Sequence, residues 1–352
     1  MKRISHLLCI ALLLTFGLAA CEDDNPTSNT PVEQTHVQTP RMMVAHGGKL
    51  YVSCYRPASV VRIDTATMQV DAMCRLGNYN PEGIAALAGR LFVVSSWVAD
   101  ERGEYLYDDK VYVVDLSTFR VVDSVTVGIN PQRILAIDGE HLIVNYNGDY
   151  NANPGGSAII DANTLQVTQT GLELTSMCTR DGQVYGYSSP YTSASVNYLH
   201  LDPSTMQSTT ILDGCTVANP YSINVLSNGD VLLTTTGNYT AAGDVLRCTA
   251  EGTTTWRQTA GMLPSRVIEL PDGTAYVLNE GTWSGNNASL SRVNLASGEM
   301  QNGVFAAANG RGLGDVAQDI LVYGSHAYIT VSFSNTIEAV SLADNTSRQL
   351  SL

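Results

Sequence analysis

The chain has 352 residues, 44% hydrophobic, 15% charged and 7% aromatic. This is a globular composition, with too few charges for a disordered or coiled-coil protein. With 33 acidic against 19 basic residues, three of them lysines, and a formal net charge of −14, it lacks the clustered cations that nucleic-acid binding requires.

Lys2 and Arg3 precede an apolar run over residues 7–20, the length of a signal-peptide core and shorter than the roughly 18 residues of a membrane span. The run ends in Leu18-Ala19-Ala20-Cys21. Small residues before a cysteine resemble the lipobox of bacterial lipoproteins, in which Cys21 carries the lipid and becomes the first mature residue. Ordinary cleavage beside an incidental cysteine is the plainer alternative. The acidic Glu22-Asp23-Asp24 that follows resembles the surface-export signal of lipoproteins in certain Gram-negative gut anaerobes. The expected division is a signal peptide over 1–20, a lipidated Cys21 with a flexible tether to 38, and one folded unit over 39–352. Loss of 1–20 leaves 17 basic against 33 acidic residues, a net −16. Lipid rather than charge would hold such a body to an anionic outer membrane, facing the cell exterior.

Five cysteines remain: Cys54, Cys74, Cys178, Cys215 and Cys248. No pair has the spacing of a redox or zinc motif, so they read as buried strand residues, with one disulfide possible in an exported protein.

From residue 39 onward one unit recurs: an apolar strand, a tight glycine turn, a second apolar strand, a variable loop and two further strands. The second-strand cores are Leu50-Tyr51-Val52, Leu91-Phe92-Val93, Leu142-Ile143-Val144, Val184-Tyr185-Gly186, Val231-Leu232-Leu233, Ala275-Tyr276-Val277 and Ala327-Tyr328-Ile329, spaced 41, 51, 42, 47, 44 and 52 residues apart. Turns such as Ala88-Gly89, Asp181-Gly182 and Asn228-Gly229 precede them and supply the positive φ of a two-residue hairpin. A second turn recurs between strands three and four as Asp64-Thr65-Ala66-Thr67-Met68, Asp115-Leu116-Ser117-Thr118-Phe119, Asp161-Ala162-Asn163-Thr164-Leu165 and Asp202-Pro203-Ser204-Thr205-Met206. Its Asp and Thr side chains can bond their own backbone. Four strands in about 45 residues, seven times over, predict an all-β seven-bladed propeller of four-stranded antiparallel blades. No stretch of 10 to 15 residues has helical period.

The repeat as written over residues 109–131, from Asp109-Lys110-Val111-Tyr112 to Gly128 and Asn130-Pro131, resembles the YncE-like propellers. The resemblance spans most of the mature chain. It is specific for fold and poor for function.

In such blades the second-to-third-strand loops and the blade-to-blade connections share one face. The longest loops, 95–110, 145–156, 187–197, 235–244 and 279–289, fall there and are the expected binding surface. Tyr55, Tyr79, Tyr105, Tyr107, Tyr146, Tyr150, Tyr187, Tyr191, Tyr221 and Tyr239, with Trp97 and Trp283, lie in or beside these segments, among many asparagines including Asn145 and Asn279. Flat amphipathic rings with amides suit a bulky, largely neutral ligand rich in hydrogen-bonding groups, a corrinoid or a glycan. Tyr and Asn also simply tolerate partial exposure.

Pro40-Arg41, Pro131-Gln132-Arg133 and Pro264-Ser265-Arg266 place arginines where innermost strands begin, and Arg311 lies in the loop before blade seven. Converging there, Arg41, Arg133 and Arg266 can clamp a phosphate or carboxylate, or bond neighbouring groups of the channel mouth. Catalytic signals are weak: His46, His141 and His326 adjoin the opposite face, and acids such as Glu82, Asp100, Asp149, Glu280 and Asp315 have no evident pairing. Asp149-Tyr150-Asn151-Ala152-Asn153 offers alternating oxygens, but Pro154 and Ile160 exclude an EF-hand, leaving at most a casual cation site.

A lipid-anchored propeller of this kind resembles the surface propellers that deliver cobalamin to an outer-membrane TonB-dependent transporter. The resemblance implies ligand capture without catalysis or cofactor. The ligand-binding set is then Arg41, Tyr79, Trp97, Arg133, Tyr146, Tyr187, Tyr221, Tyr239, Arg266 and Trp283. A glycan-binding surface protein and a protein-docking scaffold are the alternatives. An enzyme of the lactonase or quinoprotein type lacks a visible metal or histidine set.

Overall fold

The computed structural model describes residues 37–352 except 78, 101, 190–195, 214 and 216. The signal segment, Cys21 and the tether up to residue 36 lie outside the described residues, as do Asn78 and Tyr191.

Seven antiparallel sheets follow one another along the chain, each built in sequence order from four strands. The first strands are Gln38–His46, Tyr79–Leu87, Pro131–Ala136, Ser176–Arg180, Pro220–Val225, Pro264–Glu269 and Ala317–Tyr323. Successive first strands are neighbours around the axis, and Ala317–Tyr323 returns against Gln38–His46. The molecule is a seven-bladed β-propeller. Blade two carries a fifth short strand, Tyr105–Tyr107, paired with the far end of its second strand Arg90–Ala99.

The second strands explain the unbroken apolar runs. Successive side chains on a strand point to opposite sheet faces, and each blade is covered on both faces by its neighbours. Leu91 and Val93 therefore pack toward blade one, while Phe92 and Val94 pack toward blade three. The same division recurs around the ring, and the described residues form seven apolar clusters, one per blade interface. Fully burying such a Leu, Val or Phe side chain is worth about 1.5–3 kcal/mol, so the core is a closed belt.

The hairpin turns depart in part from the two-residue expectation. Blades one, two, four and seven have it, and in the first three both central residues sit at positive φ (Gly47 58° and Gly48 77°; Ala88 50° and Gly89 72°; Asp181 50° and Gly182 75°). Blades three, five and six take longer turns; in blade three Asp138 accepts the amides of Glu140 and His141 at 2.7 Å each. The Asp-Thr turns are built on the Asp side chain. Asp115 Oδ1 accepts the amides of Ser117 and Thr118 at 3.1 and 2.8 Å. The apolar residue closing each turn, Met68, Phe119, Leu165 or Met206, sits at positive φ.

One short helix, Val304–Asn309, follows blade six and buries Phe305 between blades six and seven. The ring closes without strand exchange: Ser347–Ser351 is the outermost strand of blade seven. Among the described residues, hydrogen bonds across the closure have a side chain at one end or both, including Met43 N to Asp319 Oδ2 (3.1 Å), Gly48 N to the Tyr323 hydroxyl (2.9 Å) and Thr330 Oγ1 to Arg41 O (2.6 Å).

Of the cysteines, Cys54, Cys74 and Cys248 are buried strand residues and Cys178 is a half-buried one. Cys215 lies in the connection before blade five, its Sγ 3.9 Å from that of Cys248.

Candidate functional site

The first strands do not run straight into the axis. In six blades the ladder between strands one and two breaks at the start of the first strand, at Pro40, Pro81, Pro131, Pro220, Pro264 and Ala317. A bulge turns the residues after it and leaves backbone groups without a ladder partner. Proline is tolerated there because it has no amide hydrogen to lose. Buried polar residues of the second strands take up some of the freed groups. Ser53 Oγ accepts the Met42 amide at 3.1 Å, and Asn145 Oδ1 accepts the Arg133 amide at 3.0 Å while its Nδ2 donates to Leu174 O at 3.0 Å. Asn145 is thus a buried clamp rather than a loop-face amide, and Asn279, fully buried, bonds Gly261, Ser289 and Ser291 in the same way.

These bulges gather polar side chains at the axis around a cavity of about 240 Å³, lined among others by Arg41, Glu82, Arg133, Tyr221, Arg266 and Glu280. Arg41 donates from Nε and Nη2 to the two oxygens of Glu82 at 3.0 and 3.3 Å, and from Nη1 to Gln318 at 2.6 Å. Burial pushes the Glu82 carboxyl up, and Arg41 holds it partly down. The Tyr221 hydroxyl donates to Glu280 at 2.6 Å. Arg266 lies 3.5 Å from Asp319, too long for a hydrogen bond, and its Nε has no partner. Arg133 has no side-chain hydrogen bond and no carboxylate within 4.0 Å among the described residues. Burial, then the charge of Arg266, brings its guanidinium down to about 10. Arg311 is elsewhere. It forms a two-pronged pair with buried Glu338 of blade seven, at 2.9 and 2.8 Å, and takes no part in the funnel.

Beside the funnel, on the loop face, lies a cleft of about 380 Å³ between blades three and four, lined by Tyr146, Tyr150, Asn151, Asn153, Glu173 and Ser189 among others. Asn147 and Thr175 line both spaces, so the cleft and the funnel adjoin. Blade two supplies an aromatic wall leading to it. Trp97 packs on Tyr107 with ring centroids 4.1 Å apart, and Tyr107 meets the edge of Tyr150 at 6.4 Å. Asn147 Nδ2 donates to the Tyr150 hydroxyl at 3.1 Å.

The remaining residues expected at the ligand site divide by burial. Tyr239 and Trp283 project from the second-to-third-strand loops of blades five and six, 61% and 75% exposed. Tyr79 stacks on Tyr112 at 4.2 Å and packs against the core between blades one and two. Tyr146 wedges between Gly128 and Gly156, where added Cβ atoms would meet its ring at 2.6 Å and its hydroxyl at 2.3 Å; the hydroxyl donates to Gln169. Tyr187 is 2% exposed, and its hydroxyl bonds Pro220 O at 2.9 Å across the blade-four to blade-five interface. It is a core residue. Asp149 spends its oxygens on the amides of Asn151 and Asn153 and on Asn153 Nδ2, at 2.7–2.9 Å, which makes the oxygen-rich stretch a self-capped turn. No group of three His, Cys, Asp or Glu suited to a metal occurs among the described residues.

The most exposed large apolar side chains were only partly legible. Tyr105, Leu106, Tyr150, Tyr239, Trp283 and Phe333 all lie in second-to-third-strand connections, and the others, Val121 and Val122, lie on the outer strand of blade two. Phe333, 6.3 Å from Trp283, was signalled by no motif.

No protein-family model matches the chain. No curated protein matches it either. Among solved structures it is similar to Kluyveromyces lactis Hsv2, at 10% identity with a TM-score of 0.54, covering 86% of this chain and 93% of that one. It is also similar to the β-propeller domain of Myceliophteria thermophila Cps50 (Swd1), at 10% identity with a TM-score of 0.55, covering 92% and 99% of the two chains. At this identity the likeness shows one thing, that the chain is a β-propeller.

Proposed function

We propose that this chain is a non-catalytic, lipid-anchored surface propeller of YncE-like type that captures a bulky ligand on its loop face, a corrinoid in the first place, and passes it to an outer-membrane TonB-dependent transporter. One observation carries the reading: an aromatic wall from Trp97 through Tyr107 to Tyr150 that leads into a 380 Å³ cleft adjoining the funnel. Tyr150 is 53% exposed and Trp97 and Tyr107 are half-buried, so together they leave a partly open aromatic surface beside the cleft, the kind of surface a ligand ring covers. The cleft and funnel together have the volume of a ligand pocket, and amides and hydroxyls stand among the rings. The described histidines offer no acid or base here: His46, His141 and His326 flank hairpin turns, and His200 lies on a third strand. A glycan would use the same rings, so the experiment sets the two side by side. The purified chain is passed through size exclusion with cobalamin, and through affinity gels cast with neutral polysaccharides. Co-elution of corrin absorbance with the protein, without retardation in the gels, supports the corrinoid; retardation that Trp97→Ala and Trp283→Ala abolish would replace it with a glycan.

A further inference from the structure

The acids of the funnel each have a hydrogen-bond partner, and part of its donor set does not. Glu82 is taken by Arg41, Glu280 by Tyr221, and Asp319 by the amide of Met43 at 3.1 Å. On the donor side Arg133 is unpaired among the described residues, and Arg266 Nε and Ser265 Oγ are buried without partners. These three residues line the same 240 Å³ cavity. A buried donor without an acceptor forfeits its hydrogen bonds to water, and an unpaired buried charge costs more. Two such buried atoms beside an arginine without a partner, around one space, are unusual in a native fold and mark an absent acceptor. The charge follows the same line. Arg41 is paired with Glu82 at hydrogen-bond distance and Arg266 stands 3.5 Å from Asp319, whereas Arg133 has no carboxylate within 4.0 Å among the described residues; Glu280 on the same wall meets only the Tyr221 hydroxyl, so Arg133 is the arginine left without a direct partner. A planar guanidinium fork matches two oxygens of a carboxylate or phosphate.

We infer that the funnel is a receptor for one oxyanion of the bound ligand, a carboxylate or a phosphate ester, seated on Arg133 with Arg266 and Ser265 beside it. The inference rests on the loop face being a ligand site and narrows it: a neutral bulk lies in the cleft of blades three and four, and a single anionic group reaches past Asn147 and Thr175 into the funnel. The bulges at Pro131 and Pro264 present the two arginines, and the clamp of Asn145 on the Arg133 backbone fixes one of them before any ligand arrives.

The test is thermal unfolding of the full chain at pH 7 with sodium acetate, methyl phosphate or acetamide, against sodium chloride of equal ionic strength to remove general salt effects. A ligand that binds only the folded state raises Tm with a saturating dependence on concentration. Acetate or methyl phosphate should do so, and the larger rise assigns the group; acetamide should not. Arg133→Gln should abolish the rise while leaving the ligand-free Tm within a degree or two, since the Arg133 side chain makes no hydrogen bond or ion pair among the described residues. Arg133→Lys, which keeps the charge but not the fork, should weaken anion binding at least about tenfold. No anion-dependent rise in the wild type, an equal rise with acetamide, or an undiminished rise in Arg133→Gln would each overturn the assignment. A chain that binds these anions but not cobalamin keeps this site and loses the corrinoid. One that binds cobalamin equally well with Arg133→Gln, and ignores anions, keeps the corrinoid and loses this site.

Discussion

Arg41 of blade one grips both carboxylate oxygens of Glu82 in blade two, at 3.0 and 3.3 Å, and so ties two innermost strands together at the funnel wall. Both side chains are largely buried. Removing one partner of a buried pair strands the other, at about 3–5 kcal/mol. Arg41→Met should therefore destabilise strongly, and Arg41→Met with Glu82→Gln much less; denaturant midpoints of the two variants and wild type check this. The pH dependence has a definite sign. Burial raises the Glu82 carboxyl above its unfolded value, so the folded state holds the proton longer. Its contribution is complete below the ordinary carboxyl range and shrinks as pH rises through the raised value. Arg41→Met raises that value further, so the variant should lose more stability than wild type between pH 4.5 and pH 7.5.

The Asp-Thr turns act with the opposite sign. Hydrogen bonds from their own turns hold Asp115, Asp161 and Asp202 below the ordinary range, Asp115 at about 2 through Ser117 and Thr118, and Asp64 is held down first by Lys49 and then by Thr67 of its turn. Such groups add stability that is present above the unfolded value near 3.9 and is lost as pH falls through the folded one. Tm should hold down to about pH 4 and then drop toward pH 2. Asp115→Asn, which keeps an acceptor without the charge, should flatten that drop by its share.

Asn145 is the residue through which stability and site geometry meet. Asn145→Ala would free the Arg133 amide and Leu174 carbonyl inside the protein, at about 1–3 kcal/mol. Gly83 stands on the other side of the same segment: a Cβ there would come within 2.8 Å of Arg133 Cα and Ile134 N. These are backbone atoms with no room to swing aside, so Gly83→Ala should cost about 1–3 kcal/mol. Both variants should lower Tm and weaken ligand affinity together.

Trp283 and Tyr150 separate binding from folding. At 75% exposure it contributes little to the core, so Trp283→Ala should leave Tm within a degree or two. Trp283 lines neither the cleft nor the funnel, so ligand affinity should stay within about twofold of wild type in the same titration, whereas Tyr150→Ala, at a 53% exposed ring lining the cleft, should lower it several-fold.

The fold was legible because the repeat is written where burial is nearly complete. Each of the seven apolar triplets, from Leu50-Tyr51-Val52 to Ala327-Tyr328-Ile329, falls on the second strand of its blade, where both faces are covered and every residue is constrained. The site was less legible because exposure of a loop-proximal ring depends on partners far away in sequence. Tyr187 turns inward to Pro220 O, Asn145 inward to Arg133 and Leu174, and Arg311 outward to Glu338. None of these pairings has a local signal. The funnel arginines did have one, the Pro-x-Arg or Pro-Arg step at the start of a first strand, since proline marks the bulge that turns the following side chains. The same step is occupied by glutamate at Pro81-Glu82 and tyrosine at Pro220-Tyr221, and those two residues took their meaning from Arg41 and Glu280.

The central claim is capture of a corrinoid on the loop face, and calorimetric titration of cobalamin into the purified chain tests it most directly. The account predicts saturable one-to-one binding at micromolar protein, weakened by Tyr150→Ala and by Arg133→Gln with folding intact. No heat at that concentration, or binding indifferent to both substitutions, would contradict it.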